Sequence, residues 1–209
     1  MSRLVKATSW TTLATVVNLG LTMLQLAILV RVLSPSIFGQ FAVVNLILEI
    51  FVAFALGGIS NFLIYKKNAD QETSNAIYYL ALIIGVVCSA LLFFLAPILA
   101  NLLGYDAIVQ ELKLATLLLV VSSLSSQYQA LGMKNFKHQQ VAQIDIVAKI
   151  GSFAFAISFT HLELLCLVGA VVIYQLLRLI GFMLCLGKYV NLSTRVNTSI
   201  YKEAFNYGI

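Results

Sequence analysis

The chain of 209 residues is 61% hydrophobic and 10% charged, carries a net charge of +5 and has a mean hydropathy of +0.97. Soluble domains hold about 25% charged residues, so this composition excludes a water-soluble fold and places the chain in a membrane. Its long apolar runs lack strict alternation, which makes the spans helices and not barrel strands.

The first predicted span runs from Trp10 to Leu33. Ala7 to Val30 is free of charge over about 24 residues with no small-residue cleavage pattern after it, so it reads as a retained span and not a signal peptide. Thr11, Thr15, Asn18, Thr22 and Gln25 recur at alternating intervals of four and three, so a helix places all five on one narrow stripe. A polar stripe on an apolar helix needs something other than lipid to face. The corner Leu33-Ser34-Pro35-Ser36-Ile37-Phe38-Gly39 is a stop and restart: Pro35 ends the first helix, Ser34 can cap the second, and Gly39 lets the backbone turn closely into the second helix.

The second span is expected from Phe38 to Tyr65. Asn45 and Glu49 lie four apart on one face, which puts a carboxylate well inside an apolar run and suggests a helix lining a cavity. Glu49 has two readings of equal standing, a buried carboxyl that binds a proton or sodium ion, or the counter-ion of an arginine. Gly57-Gly58-Ile59-Ser60-Asn61 offers small residues for close helix contact or a local break.

The third span, Ala76 to Ala100, contains Pro97, where a kink or stop is expected. The fourth, Leu112 to Met133, has a polar side made of Ser122, Ser123, Ser125, Ser126, Gln127 and Gln129, explained equally by interhelical hydrogen bonds and by substrate contact. The fifth, Ile146 to Thr160, is short, with Asp145 and Lys149 at its start; their spacing of four suggests a local ion pair at the membrane surface. The sixth, Leu164 to Leu186, carries Arg178 about 4 Å past its midpoint, where an arginine costs about 2.5–3.5 kcal/mol to insert. Arg178 should therefore face a cavity, with Tyr174 and Gln175 on the same polar face; the competing reading pairs it with Glu49 or lets it snorkel to a headgroup.

Six spans segregate the positive charge. Arg3, Lys6, Lys66, Lys67, Lys134, Lys137, Lys188, Arg195 and Lys202 fall on one side, while Arg31, read as an anchor, and Lys113 lie on the other with Asp106, Glu111 and Glu163. Both termini are then cytoplasmic. The clustering of basic residues between apolar runs fits membrane orientation and argues against a nucleic-acid partner. Cys88, Cys166 and Cys185 lie inside spans and read as small apolar packers, with no disulfide framework or metal site. His138 and His161 fall on opposite sides, so no catalytic, metal or cofactor constellation is expected and the chain does not read as an enzyme.

Leu29-Val30-Arg31-Val32-Leu33-Ser34-Pro35, followed by Phe38-Gly39 and Phe41, resembles the first-corner pattern of the Wzx-type polysaccharide and O-antigen flippases. These belong to the multidrug, oligosaccharidyl-lipid and polysaccharide superfamily. Met133-Lys134-Asn135-Phe136-Lys137-His138-Gln139 after the fourth span, and Tyr201-Lys202-Glu203-Ala204-Phe205-Asn206-Tyr207-Gly208 near the end, are similar as well. The resemblance implies an all-α integral membrane fold in which about six transmembrane helices form one lobe of a two-lobed, alternating-access transporter of the bacterial inner membrane. Residues 1–209 would be the N-terminal lobe, and residues 187–209 a cytoplasmic amphipathic tail leading toward a second lobe. The chain stops where that lobe should start, so a truncated frame, a fragment and a half that needs a partner are all expected possibilities.

The implied activity is flipping a polyprenyl-phosphate-linked oligosaccharide outward without making or breaking a bond. Arg178 would meet phosphate and Tyr174 sugar, with Gln175, Asn18, Thr22, Gln25 and Asn45 as further substrate contacts and Glu49 as the ion-coupling candidate. A multidrug cation exporter of the same superfamily, for which an acidic cavity would be expected, and an inactive fragment are the alternatives.

Overall fold

The computed structural model describes residues 3–56 and 71–187. Gly57 to Asn61, Lys66, Lys67, the lead-in at Tyr201 to Gly208 and most of the expected tail lie outside the described residues. Among the described residues seven α-helices follow one another: α1 (Arg3–Leu29), α2 (Pro35–Leu56), α3 (Gln71–Leu102), α4 (Val109–Ala115), α5 (Leu117–Lys134), α6 (His138–Ser158) and α7 (Leu164–Leu186). Short 3-10 turns at Asp106–Ile108 and Thr160–Leu162 precede α4 and α7. Six stretches are long and apolar enough to cross a membrane: Ser9–Leu29, Pro35–Ala55, Ile77–Leu102, Asp106–Lys134, His138–Ser158 and Leu164–Leu186. The chain is a multi-pass helical membrane protein, with six spans among the described residues.

Pro35 opens α2 at the first helical position, where its missing N–H costs nothing, and the Ile37 N–H donates to the Ser34 carbonyl at 3.1 Å. The Ser34 hydroxyl meets that of Ser36 at 3.4 Å. A Cβ at Gly39 would meet open space. Pro97 does not stop α3, which continues to Leu102. The fourth span is longer than expected and breaks at Thr116, whose hydroxyl donates to the Lys113 carbonyl at 2.7 Å while its own carbonyl accepts from Ser89 of α3 at 3.0 Å. A side chain entering the backbone ladder in this way bends a helix.

The fifth span starts at His138, eight residues before the expected Ile146. The polar run His138-Gln139-Gln140 reads as loop, yet Val141, Ala142 and Ile144 are buried, and Val141 and Ile144 pack with Leu179, Phe182 and Leu186 of α7. That apolar face supplies the packing that makes the segment helical. The connection to α5 shrinks to Asn135-Phe136-Lys137, with Phe136 at φ 55° and the Lys137 N–H donating to the Gly132 carbonyl at 2.9 Å, a left-handed helix end.

Packing follows a chain of neighbours, α1 on α6, α6 on α7, α7 on α5 and α5 on α3, with α2 set against α3, α5 and α7. Helix α5 is the most enclosed, half of its span being buried, and α1 the least. The larger apolar core lies toward the Ser34 corner, where Leu29, Leu33, Val44, Leu48, Leu92, Leu112 and Leu119 come together. Among the described residues α2 is not packed along α1. The two helices part from their shared corner and leave a groove.

Candidate functional site

Among the described residues an ion pair and a groove with a charged end lie inside the bundle. At the junction of α5, α6 and α7, the Arg178 guanidinium donates from Nε to Asp145 Oδ1 and from Nη2 to Gln129 Oε1, both at 2.6 Å. The arginine and aspartate side chains are 15% and 16% exposed, so this ion pair is largely out of solvent. The Phe182 ring centroid lies 5.2 Å and the Tyr174 centroid 6.0 Å from the guanidinium carbon, within cation–π range. Depth explains the pairing. Arg178 lies three residues past the midpoint of α7 and Asp145 three residues before that of α6, and a tight turn makes the helices antiparallel, so both groups fall at one level about 4–5 Å from mid-span.

This corrects the expected Asp145–Lys149 pair: Asp145 is bound to Arg178 instead. With α6 beginning at His138, both residues leave the surface for the helix interior, and Asp145 faces α7. It also replaces Glu49 as the partner considered for Arg178. Gln175 turns to α5 and donates to Ser122 Oγ at 2.8 Å, so it belongs to the helix packing beside Tyr174 and Arg178. The serine cluster is mostly spent locally: Ser123 donates to the Leu119 carbonyl, Ser125 to Ser122 and Ser126 to Ser123.

The second feature is the groove between α1 and α2, a cavity of about 160 Å³ lined by Thr22, Gln25, Leu26, Leu29, Phe38, Phe41, Lys149, Leu167 and Val171. Its floor comes from α6 and α7. Lys149 is twelfth of the 21 residues of α6, near mid-span, and donates from Nζ to Gln25 Oε1 at 3.4 Å. Among the described residues no carboxylate pairs with it. Both ends of the span are about 14 Å or more away along the helix, farther than a lysine stem can snorkel. The charge must be met within the groove.

Two of the five residues of the α1 stripe meet this groove. Gln25 and Thr22 line it, and Asn18 lies one turn below with its Oδ1 buried and without a hydrogen-bond partner. The hydroxyls are used by the helix itself, Thr22 donating to the Asn18 carbonyl at 2.7 Å and Thr15 to Thr11 at 3.0 Å. Asn45 Nδ2 donates to Glu49 Oε1 at 2.9 Å on α2. Glu49 is exposed, outside the cavity lining, on the side of α2 that carries Phe38 at helical spacing. The structure thus brings Gln25 and Thr22 together, and separately Arg178 and Tyr174.

Sequence reasoning placed Asp145 and Lys149 at the membrane surface, and of the two readings it left for Gln129 the interhelical hydrogen bond is the one observed. The spacing of Val141, Ile144 and Ala148 at three and four was the available signal, since it extends the helix upstream and moves Lys149 to its middle. Cys166 is buried and Cys88 half-buried, while Cys185 is exposed; Cys166 Sγ approaches the Ala156 carbonyl at 3.0 Å.

The chain is similar to several bacterial proteins. It is 27% identical over 155 residues to an uncharacterized membrane protein in the cps region of Klebsiella pneumoniae, covering 74% of this chain and 31% of that protein. It is 24% identical over 157 residues to the lipopolysaccharide biosynthesis protein WzxC of Escherichia coli K12, covering 75% and 32%. Against the succinoglycan biosynthesis transport protein ExoT of Rhizobium meliloti it is 28% identical over 110 residues, covering 53% and 22%. The matches thus span about a third or less of the length of these relatives. No solved structure matches the chain. Residues 28–209 match the family described as polysaccharide biosynthesis protein, and the chain belongs to that family.

Proposed function

We propose that the chain forms the first lobe of an alternating-access transporter that carries a lipid-linked oligosaccharide outward across the bacterial inner membrane, with both termini in the cytoplasm. The observation that carries this reading is the groove between α1 and α2, where Thr22, Gln25 and a mid-span lysine interrupt an otherwise apolar wall. A lipid-facing helix has no use for that charge, whereas a cavity that must offset the desolvation of phosphate and sugar does. The names of the relatives support glycan as cargo and give no support to the multidrug alternative. The reading involves no bond-making step.

In this proposal Lys149, Gln25, Thr22 and Asn18 form the substrate wall, with Asn45 and Glu49 on the facing side of α2 and Glu49 as the ion-coupling carboxylate. Arg178, already neutralised by Asp145, holds α5, α6 and α7 together and positions Tyr174 and Gln175 behind the groove. The test is a chimera in which this chain replaces the matching third of the Escherichia coli relative, expressed in a strain lacking its own exporter. Restored surface glycan, lost again on Glu49→Gln, is the expected result. A chimera present in the membrane at normal level that restores no glycan overturns the proposal.

A further inference from the structure

The groove is built for an amphiphile. Six of its nine lining residues, Leu26, Leu29, Phe38, Phe41, Leu167 and Val171, are apolar, and the polar ones gather at the Lys149 end. A sugar would leave that apolar wall wet and its own hydroxyls without partners. A bare anion would use the lysine and leave the wall unused. What satisfies both is a phosphate carried on a hydrocarbon chain.

We propose that this groove is a binding site for the lipid-phosphate portion of the carrier, the phosphate on Lys149 and Gln25 and the start of its hydrocarbon chain along Leu26, Leu29, Phe38 and Phe41. The inference rests on the transporter reading and narrows it, assigning the lobe to hold the lipid anchor and not the glycan. Three observations converge on it. Lys149 lies too deep to snorkel and has no carboxylate partner among the described residues, whereas Arg178 at similar depth is already paired. Gln25 accepts one hydrogen bond from the ammonium and keeps its amide N–H groups to offer a phosphate oxygen. The aromatic pair Phe38 and Phe41 comes from the first turns of α2, so the wall is fixed by the Ser34-Pro35 corner.

The site differs from a surface lipid contact in depth. A phospholipid keeps its phosphate at the interface, while Lys149 lies near mid-span, a level that a headgroup reaches only in passage. The groove is therefore a place where a phosphate pauses while crossing.

The test uses the purified chain in mild detergent, with the fluorescence of its single tryptophan, Trp10 of α1, and thermal stability as readouts. The probes are farnesyl phosphate, farnesol, inorganic phosphate and a short-chain phosphatidylglycerol. Farnesyl phosphate should bind at least about tenfold more tightly than each of the other three. Lys149→Met should reduce its affinity to that of farnesol, while Lys149→Arg retains it and Phe41→Ala weakens farnesyl phosphate and farnesol alike. Equal binding by Lys149→Met and the unaltered chain overturns the inference. So does a preference for inorganic phosphate, which would mark a free-anion site, or equal binding of phosphatidylglycerol, which would mark a general acidic-lipid site. Should Lys149→Met fail to fold, Gln25→Leu gives the same comparison, with a several-fold loss expected for farnesyl phosphate alone. Because this is a binding measurement, its failure leaves the chimera result standing, and a silent chimera leaves the binding result standing.

Discussion

The acidic residue of α6 found its partner across a helix interface and not along its own helix, and that choice is set by cost. A local Asp145–Lys149 pair would contribute about 0.3–0.5 kcal/mol on an exposed helix face, whereas an unpaired Arg178 in the span costs several times more. The carboxylate therefore goes where the penalty is larger. Removing one member of a largely buried pair strands the other, at about 3–5 kcal/mol. Asp145→Ala or Arg178→Ala alone should lower the unfolding midpoint in detergent sharply, while Asp145→Leu with Arg178→Met should recover most of the loss. A double substitution no more stable than either single change would show that the pair is not the source of the effect. That arginine's need for a polar partner was legible in the sequence, because depth along an apolar run is visible there. Its partner was not, because the polar residues before Ile146 concealed the start of α6 and so the level of Asp145.

At the scale of elements, the spans could be read from apolar length, but their mutual contacts depend on small residues whose use only the packing reveals. Gly39 in the corner faces open space, while Gly85, an isolated glycine in an apolar span, carries the crossing of α3 and α5: a Cβ there would fall on the side chain of Ser123. Ser123 is fully buried, and its hydroxyl already donates to the Leu119 carbonyl, so it has nowhere to move. Gly85→Ala should cost about 1–3 kcal/mol through overpacking, read as a lowered unfolding midpoint. Combining it with Ser123→Gly should return part of that stability. If Gly85→Ala is neutral, the two helices do not cross as closely as described.

For the whole molecule, the question is which end of the bundle faces the cytoplasm. Among the described residues Lys134 and Lys137 mark one end, and Asp106, Glu111 and Glu163 mark the other beside Arg31 and Lys113. Positive charge resists translocation, so the Lys134 end is expected inside. Six spans are an even number, and the sequence carries this expectation because both the span count and the lysine positions are written in it; the groove was hidden because it depends on α1 leaving α2 and packing on α6. With Cys88, Cys166 and Cys185 replaced by Ala, single cysteines at Ser36 and Asp106 should react with a membrane-impermeant maleimide in intact cells. A cysteine at Gln139 should react only after permeabilisation. Reaction at Gln139 in intact cells, with Ser36 and Asp106 protected, would invert the molecule and with it the direction assigned to transport.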